Sequence, residues 1–182
     1  YLVGRIYFSD RQALGELAAA VFVAGLVYIP FCLFELRFSP QLHRLVYGYH
    51  QHIFAQSIRY GGFRPMVFMD HGLMVGMWMC AAATAGLWLF YSGGLGLHLQ
   101  RLFGSPASKP APVGQSQVLL ALVLAMFALA VLVKSTGAIL LMLVAIATLF
   151  LVARFRLFIL ALALLLVYPV YVGLRAYQIW DG

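Results

Sequence analysis

Long apolar stretches alternate with short polar segments along almost the whole chain. A helix that crosses a membrane needs about 20 apolar residues, within a range of about 17–25. Five stretches approach this length and predict five spans, at 17–34, 66–91, 118–133, 137–153 and 157–174. In the second span we expect the helix to run outward past Asp70 and His71 as far as Met66. The pattern predicts an all-α fold, a polytopic transmembrane helix bundle.

The links between the predicted spans differ in length and character. Only 134–136 and 154–156 separate the last three spans, and such short links make neighbouring helices antiparallel. Segment 36–65 is rich in Arg, His, Tyr and Gln. Its middle, 40–59, is expected to form a helix along the membrane surface. Segment 92–116 contains several Gly and Pro residues and is interpreted as a flexible linker without a fold of its own.

The composition excludes a soluble protein. Of the 182 residues, 64% are apolar and 9% are charged, against about 45–50% and about 25% in soluble domains. The mean hydropathy is +0.96. Both cysteines lie within apolar stretches, which argues against a secreted disulfide scaffold. We interpret residues 1–182 as a single transmembrane domain, and both ends are expected to be cuts through a longer protein.

The net charge of +7 indicates the kind of partner. The basic residues are scattered between the apolar stretches, so anionic lipid or a phosphate-bearing substrate is expected rather than nucleic acid. With the N-terminus inside, the positive-inside rule divides the 12 basic residues six and six. Such a tie is expected if the cations on one face serve a function.

The candidate binding residues are basic and lie around a glycine pair. Arg59 and Arg64 flank Gly61-Gly62, where the backbone can approach a ligand closely. They would form a cationic cradle at the mouth of the second span, and the alternative is a loop whose arginines meet lipid headgroups. An even number of crossings separates them from Lys134, which would add a third cation on the same face.

Four further residues would support such a cradle: Glu35, Asp70, His71 and Ser135. Glu35, at the end of the first span, would pair with Arg37 or orient one of the other arginines. Ionisable residues near membrane depth usually face the bundle interior. For Asp70, the alternative is stabilisation of a helix N-terminus.

A metal site or a bound cofactor is not expected. His50 and His52 form an H-x-H pair without a consistent third ligand. The five methionines of the second span are interpreted as soft packing or lipid contact. The sequence contains no Walker loop, G-x-S-x-G or H-E-x-x-H motif.

The order of these segments resembles the central part of the O-antigen ligase and O-antigen polymerase superfamily of bacterial membrane proteins. The resemblance is carried by the following motifs: Gly4-Arg5, Ser9-Asp10-Arg11, Phe34-Glu35, Arg59-x-Gly61-Gly62-Phe63-Arg64-Pro65, Lys134-Ser135-Thr136-Gly137-Ala138 and Arg154–Arg156. It implies a metal-independent glycosyltransferase of the GT-C type in the bacterial inner membrane. Such enzymes transfer a glycan from undecaprenyl pyrophosphate to an acceptor on the periplasmic side.

The resemblance also implies roles and sides for particular residues. Arg59 or Arg64 matches the family's arginine that holds pyrophosphate, and segment 36–65 becomes periplasmic while 92–116 becomes cytoplasmic. The family's Ser-Arg pair falls at Ser135-Thr136, where Thr136 replaces the arginine and Lys134 is the nearby cation. The family's catalytic histidine belongs to a large periplasmic loop, which is expected after the end of this chain. Membrane lipids and a lipid-linked glycan donor are the implied partners.

Two other functions remain open at the level of the sequence. One is a non-catalytic small membrane subunit that packs against a larger complex, with its arginines on anionic lipid. The other is a piece of a transporter or flippase. The lack of charged residues deep in the last three spans argues against an ion or proton path.

Overall fold

The computed structural model describes Gly4, Tyr7 and residues 10–50, 54–103, 113–155 and 158–176. Its elements in chain order are α1 (Arg11–Phe38), α2 (Leu42–Tyr47), a 3-10 turn (Phe54–Ser57), β1 (Ile58–Arg59), β2 (Gly62–Phe63), α3 (Gly72–Tyr91), α4 (Leu95–Leu102), α5 (Val113–Leu132), α6 (Thr136–Phe155) and α7 (Phe158–Ala176). Within these described residues, the fold is predominantly helical, as the sequence predicts.

Three helices in the described part of the chain, α1, α3 and α6, are long and apolar enough to cross a membrane. The apolar part of α5, Gln117–Leu132, is shorter. The expected count of five spans therefore stays a prediction. Residues 156–157, where the predicted fifth span begins, lie outside the described residues.

Helix α1 is longer than the predicted first span because its ends are set by hydrogen bonds rather than by hydropathy. It begins after Asp10, whose carboxylate accepts a hydrogen bond from the Ala13 amide at 2.6 Å. It ends at Phe38, before Ser39 and Pro40, and the Ser39 amide still donates to the Glu35 carbonyl. Glu35 is thus a helical residue.

The predicted start of the second span is wrong. Helix α3 begins at Gly72 with His71 as its N-cap, and residues 67–70 form turns and bends. Val67 has a φ of 50°, a left-handed conformation that a helix cannot contain. The amides of Met66 and Val67 donate to the carboxylate of Glu35, so they are not available for a helix.

The expected surface helix over 40–59 is also wrong. The segment contains the six residues of α2, the 3-10 turn and the first strand of a β-hairpin. Strands β1 and β2 pair antiparallel, with Ile58 opposite Phe63. Tyr60 and Gly61 both have positive φ, 49° and 68°. A two-residue hairpin turn whose twist matches that of its strands requires positive φ at both positions.

The linker 92–116 is partly folded, which corrects the expectation of a structureless segment. Helix α4 lies within it and packs against the beginning of α1. Arg101 forms a partly exposed ion pair with Glu16 at 3.8 Å, and the His98 ring lies against Gly15. Residues 104–112 of the linker lie outside the described part.

Small residues allow the central helices to approach one another. A Cβ on Gly25 of α1 would lie 2.6 Å from the Cβ of Ala82 in α3 and 2.9 Å from Cε of Met126 in α5. Close backbone approach at small residues is typical of membrane helix interfaces. The chain divides into two compact units, Tyr1–Met142 and Leu143–Gly182. The candidate site lies in the first unit.

Candidate functional site

The turn between α5 and α6 holds the β-hairpin. Lys134, in this turn, donates from Nζ to the carbonyl oxygens of Arg59 at 3.2 Å and Tyr60 at 3.5 Å. The Tyr60 hydroxyl and Thr136 Oγ1 are 3.0 Å apart and share a hydrogen bond. Lys134, expected to be a third cation of the cradle, therefore anchors a segment some 75 residues earlier in the chain.

Arg64 is held by the same turn. Its Nη2 donates to Ser135 Oγ at 3.2 Å, and its stem crosses the first turn of α3. A Cβ on Gly72 would lie 2.8 Å from Cδ and Nε of Arg64, and a Cβ on Gly76 would lie 2.7 Å from Ser135 Oγ. Positions four apart share one helix face, so these two glycines form the surface on which Arg64 and Ser135 meet.

The charge of Arg64 is poorly compensated. Its Nε is buried and has no hydrogen-bond partner among the described residues. Burial, and after it the nearby charge of Arg59, lowers the pKa of Arg64, although a guanidinium remains protonated at neutral pH. The one ion pair found in the described ranges is that of Arg101 with Glu16. Arg59 and Arg64 therefore have no ion-pair partner in the part of the chain that the structure describes.

A cavity of about 300 Å³ lies at the N-terminus of α3. The residues that line it are Gln56, Arg59, Arg64, Met66, His71, Gly72, Leu73 and Met74. The N-terminal end of a helix carries a partial positive charge and directs amides outward, which favours an anion. Two arginines and the N-terminus of α3 thus contribute positive charge to the same cavity. Met66, Leu73 and Met74 make part of its lining apolar.

Glu35 supports this cavity through the backbone. Its side chain is fully buried. Oε1 accepts a hydrogen bond from the Leu42 amide at 2.9 Å, and Oε2 accepts from the Met66 and Val67 amides at 2.8 and 2.7 Å. Hydrogen bonds to a charged acceptor are stronger than neutral ones. Glu35 therefore fixes the segment that joins Arg64 to α3.

This arrangement corrects the expectation that Glu35 pairs with Arg37, because both of its carboxylate oxygens accept hydrogen bonds from backbone amides. Arg37 is exposed, and its guanidinium lies 5.5 Å from the centre of the Phe38 ring. The sequence contains a signal that Glu35 bonds to backbone amides rather than to a basic side chain of its own helix. No basic residue lies three or four positions from Glu35, the spacing at which a helical ion pair would form.

The remaining candidates are placed differently. His71 lines the cavity, but Asp70 is exposed, is not the N-cap and does not line it. His50 is exposed beside the Phe54 ring, and His52 lies outside the described residues. Among the residues with a described position, no group of three or more His, Cys, Asp or Glu could hold a metal ion. The pairing of Tyr60 with Thr136 was not foreseen from the sequence.

Comparison with known proteins gives no assignment: no protein-family model, curated protein or solved structure matches the chain. The resemblance to the O-antigen ligase and polymerase superfamily therefore rests on the motifs alone. Three of its motif residues, Arg5, Ser9 and Arg156, lie outside the described residues.

Proposed function

We propose that the chain is part of a glycan ligase-like or polymerase-like glycosyltransferase of the bacterial inner membrane. The cavity at the start of α3 would bind the pyrophosphate of an undecaprenyl-linked glycan donor at the periplasmic face. One observation carries this proposal: Arg59 and Arg64 line one cavity, and no carboxylate among the described residues forms an ion pair with either.

The donor groups around the cavity suit a diphosphate. Two neighbouring guanidinium groups repel one another, and a bound anion removes that repulsion. Each planar guanidinium can contact two phosphate oxygens at once. Arg64 uses Nη2 on Ser135 and keeps other donors, and the first amides of α3 add a backbone contribution. The apolar residues of the cavity and the length of α3 support a position of this site beside lipid.

These residues would serve the leaving group of the reaction. In an inverting transfer, an acceptor hydroxyl attacks the anomeric carbon of the sugar, and the bond from that carbon to the phosphate oxygen breaks. The electron pair leaves with the pyrophosphate, and fixed cations stabilise the charge that develops there. A base must accept the hydroxyl proton. The resemblance assigns that role to a histidine of a large periplasmic loop.

Two observations favour the alternative of a non-catalytic membrane subunit. Lys134 is engaged with two backbone carbonyls and Arg64 with Ser135, so both cations already stabilise the fold. Apolar side chains near the turn between α5 and α6 are exposed, among them Leu132 and Leu140. Such a surface fits lipid or a neighbouring subunit.

Glycan transfer by the intact protein distinguishes the two functions. The protein is reconstituted in liposomes with a lipid-linked donor and an acceptor, and Arg59→Ala and Arg64→Ala are compared with Arg37→Ala, an exposed arginine outside the cavity. Loss of one such electrostatic contact is expected to lower the rate by about a hundredfold or more. Arg37→Ala should transfer normally. Normal transfer by both cavity variants would show that the site is wrongly assigned.

A further inference from the structure

Tyr60 occupies an unfavourable place for a tyrosine. It lies at the tip of the β-hairpin with a φ of 49°, a left-handed conformation that bulky residues rarely adopt. Asn or Asp is the usual residue before glycine in such a turn. The side chain is 76% exposed, so burial contributes little to offset the strain. Backbone strain of this kind, where packing does not offset it, is concentrated at functional sites.

The Tyr60 ring is exposed, yet its position is fixed. Its hydroxyl is bonded to Thr136 Oγ1, and its carbonyl accepts a hydrogen bond from Lys134. The residue between these two, Ser135, holds the guanidinium of Arg64. Three consecutive residues, Lys134, Ser135 and Thr136, therefore bond both to Tyr60 and to Arg64, a cation of the cavity.

We propose that the Tyr60 ring is a stacking surface for the sugar attached directly to the pyrophosphate. This inference rests on the proposed function and names a second part of the same site. A pyranose has an apolar face of C–H groups and a polar rim. An aromatic ring with its hydroxyl engaged at one end matches such a face, and a ring already held in place loses little conformational entropy on binding.

The chain order supports this placement. Arg59 lines the cavity and Tyr60 is the next residue, so a phosphate on Arg59 brings its substituent near the hairpin tip. A tyrosine that only anchors the protein at the membrane interface would make no distinction between a phosphate that carries a sugar and one that does not. Discrimination between such ligands is therefore the property to measure.

The test uses two probes of equal charge and equal lipid tail, farnesyl methyl diphosphate and farnesyl diphosphoryl-hexose. Calorimetry on the intact protein in nanodiscs gives the ratio of their dissociation constants. We expect the sugar-bearing probe to bind about three- to tenfold more tightly, the range typical of one aromatic contact. Tyr60→Leu should lower this ratio to about one, whereas Tyr60→Phe, which keeps the ring, should retain most of it.

Tyr91→Leu is the matched control, because Tyr91 is 78% exposed at the other end of α3 and should leave the ratio unchanged. Failure of the wild-type protein to bind either probe would overturn the proposed function and this inference with it. Equal binding of both probes would overturn the inference alone. It would also be overturned if Tyr60→Leu kept the ratio, or if Tyr91→Leu lowered it equally.

Discussion

Arg64 and Ser135 are 71 positions apart in the chain, yet Nη2 of Arg64 donates a hydrogen bond to Ser135 Oγ at 3.2 Å. This bond connects the segment before α3 to the start of α6. The Ser135 side chain lies against Gly76 of α3, where an added Cβ would meet it. The position of a cavity cation thus depends on how closely α3 approaches the turn between α5 and α6.

Arg64→Lys should weaken diphosphate binding even though it keeps the charge. A lysine ammonium cannot contact two phosphate oxygens through a planar fork or reach Ser135 in the same geometry. We expect the dissociation constant of farnesyl methyl diphosphate to rise about tenfold, which corresponds to about 1.4 kcal/mol. Calorimetry measures this change, and Arg37→Lys is the control. Equal affinity of Arg64→Lys and wild type would argue against direct phosphate contact.

Glu35→Gln should destabilise the fold. Glutamine keeps one acceptor oxygen, so at least one of the three amides that now face the carboxylate would face an NH₂ group instead. A buried donor without an acceptor costs about 1–3 kcal/mol. The free energy of unfolding, from SDS titration in mixed micelles, should fall by that amount.

The matched control is Glu16→Gln, which removes a partly exposed ion pair with Arg101. Exposed pairs contribute about 0–1 kcal/mol. Hydrogen exchange adds a local measure, because the amides of Leu42, Met66 and Val67 should exchange faster in Glu35→Gln. Similar losses in the two variants, with no change at these amides, would contradict the role assigned to Glu35.

Gly76→Ala should separate Arg64 from Ser135. The added methyl group would lie 2.7 Å from Ser135 Oγ, so the turn must move away from α3. We expect lower stability and weaker diphosphate binding together. Gly137→Ala, where nothing lies within 4 Å of the added carbon, should leave both unchanged. Wild-type binding by Gly76→Ala would show that the close approach is not needed.

Cysteine labelling should show that α3 crosses the membrane. Ile58, in β1, and Leu97, in α4, are exposed and lie on either side of α3 in the chain. A membrane-impermeant maleimide added to intact cells should label Ile58→Cys, but Leu97→Cys only after permeabilisation. The native Cys32 and Cys80 are buried, which keeps the background low. Labelling of both positions from outside would contradict a crossing by α3.

Hydropathy locates the helices well but places their ends poorly. Apolar stretches were sufficient to predict the centres of α1, α3 and α6, because the period and length of such stretches are local properties. The ends depend on particular hydrogen bonds. Asp10 starts α1 before the apolar stretch does, and the contact of Glu35 with Met66 and Val67 keeps residues 66–70 out of α3.

Sequence patterns do not predict the hairpin or the contacts of the site. Each strand has two residues, which is too short for a visible alternation, and Tyr60-Gly61 is not the usual turn pair. Charge and glycine spacing did single out Arg59, Arg64 and Lys134. Their partners are distant in sequence and follow from helix packing, which a single sequence does not reveal.

Photocrosslinking tests the location of the diphosphate site most directly. A benzophenone derivative of farnesyl diphosphate is irradiated with the intact protein in nanodiscs, and labelled peptides are identified by mass spectrometry. We predict labelling within residues 54–74, suppressed by excess inorganic pyrophosphate and lost in the Arg59→Ala/Arg64→Ala double variant. Labelling confined to other segments, or unaffected by pyrophosphate and by the double substitution, would contradict a phosphate site at the start of α3.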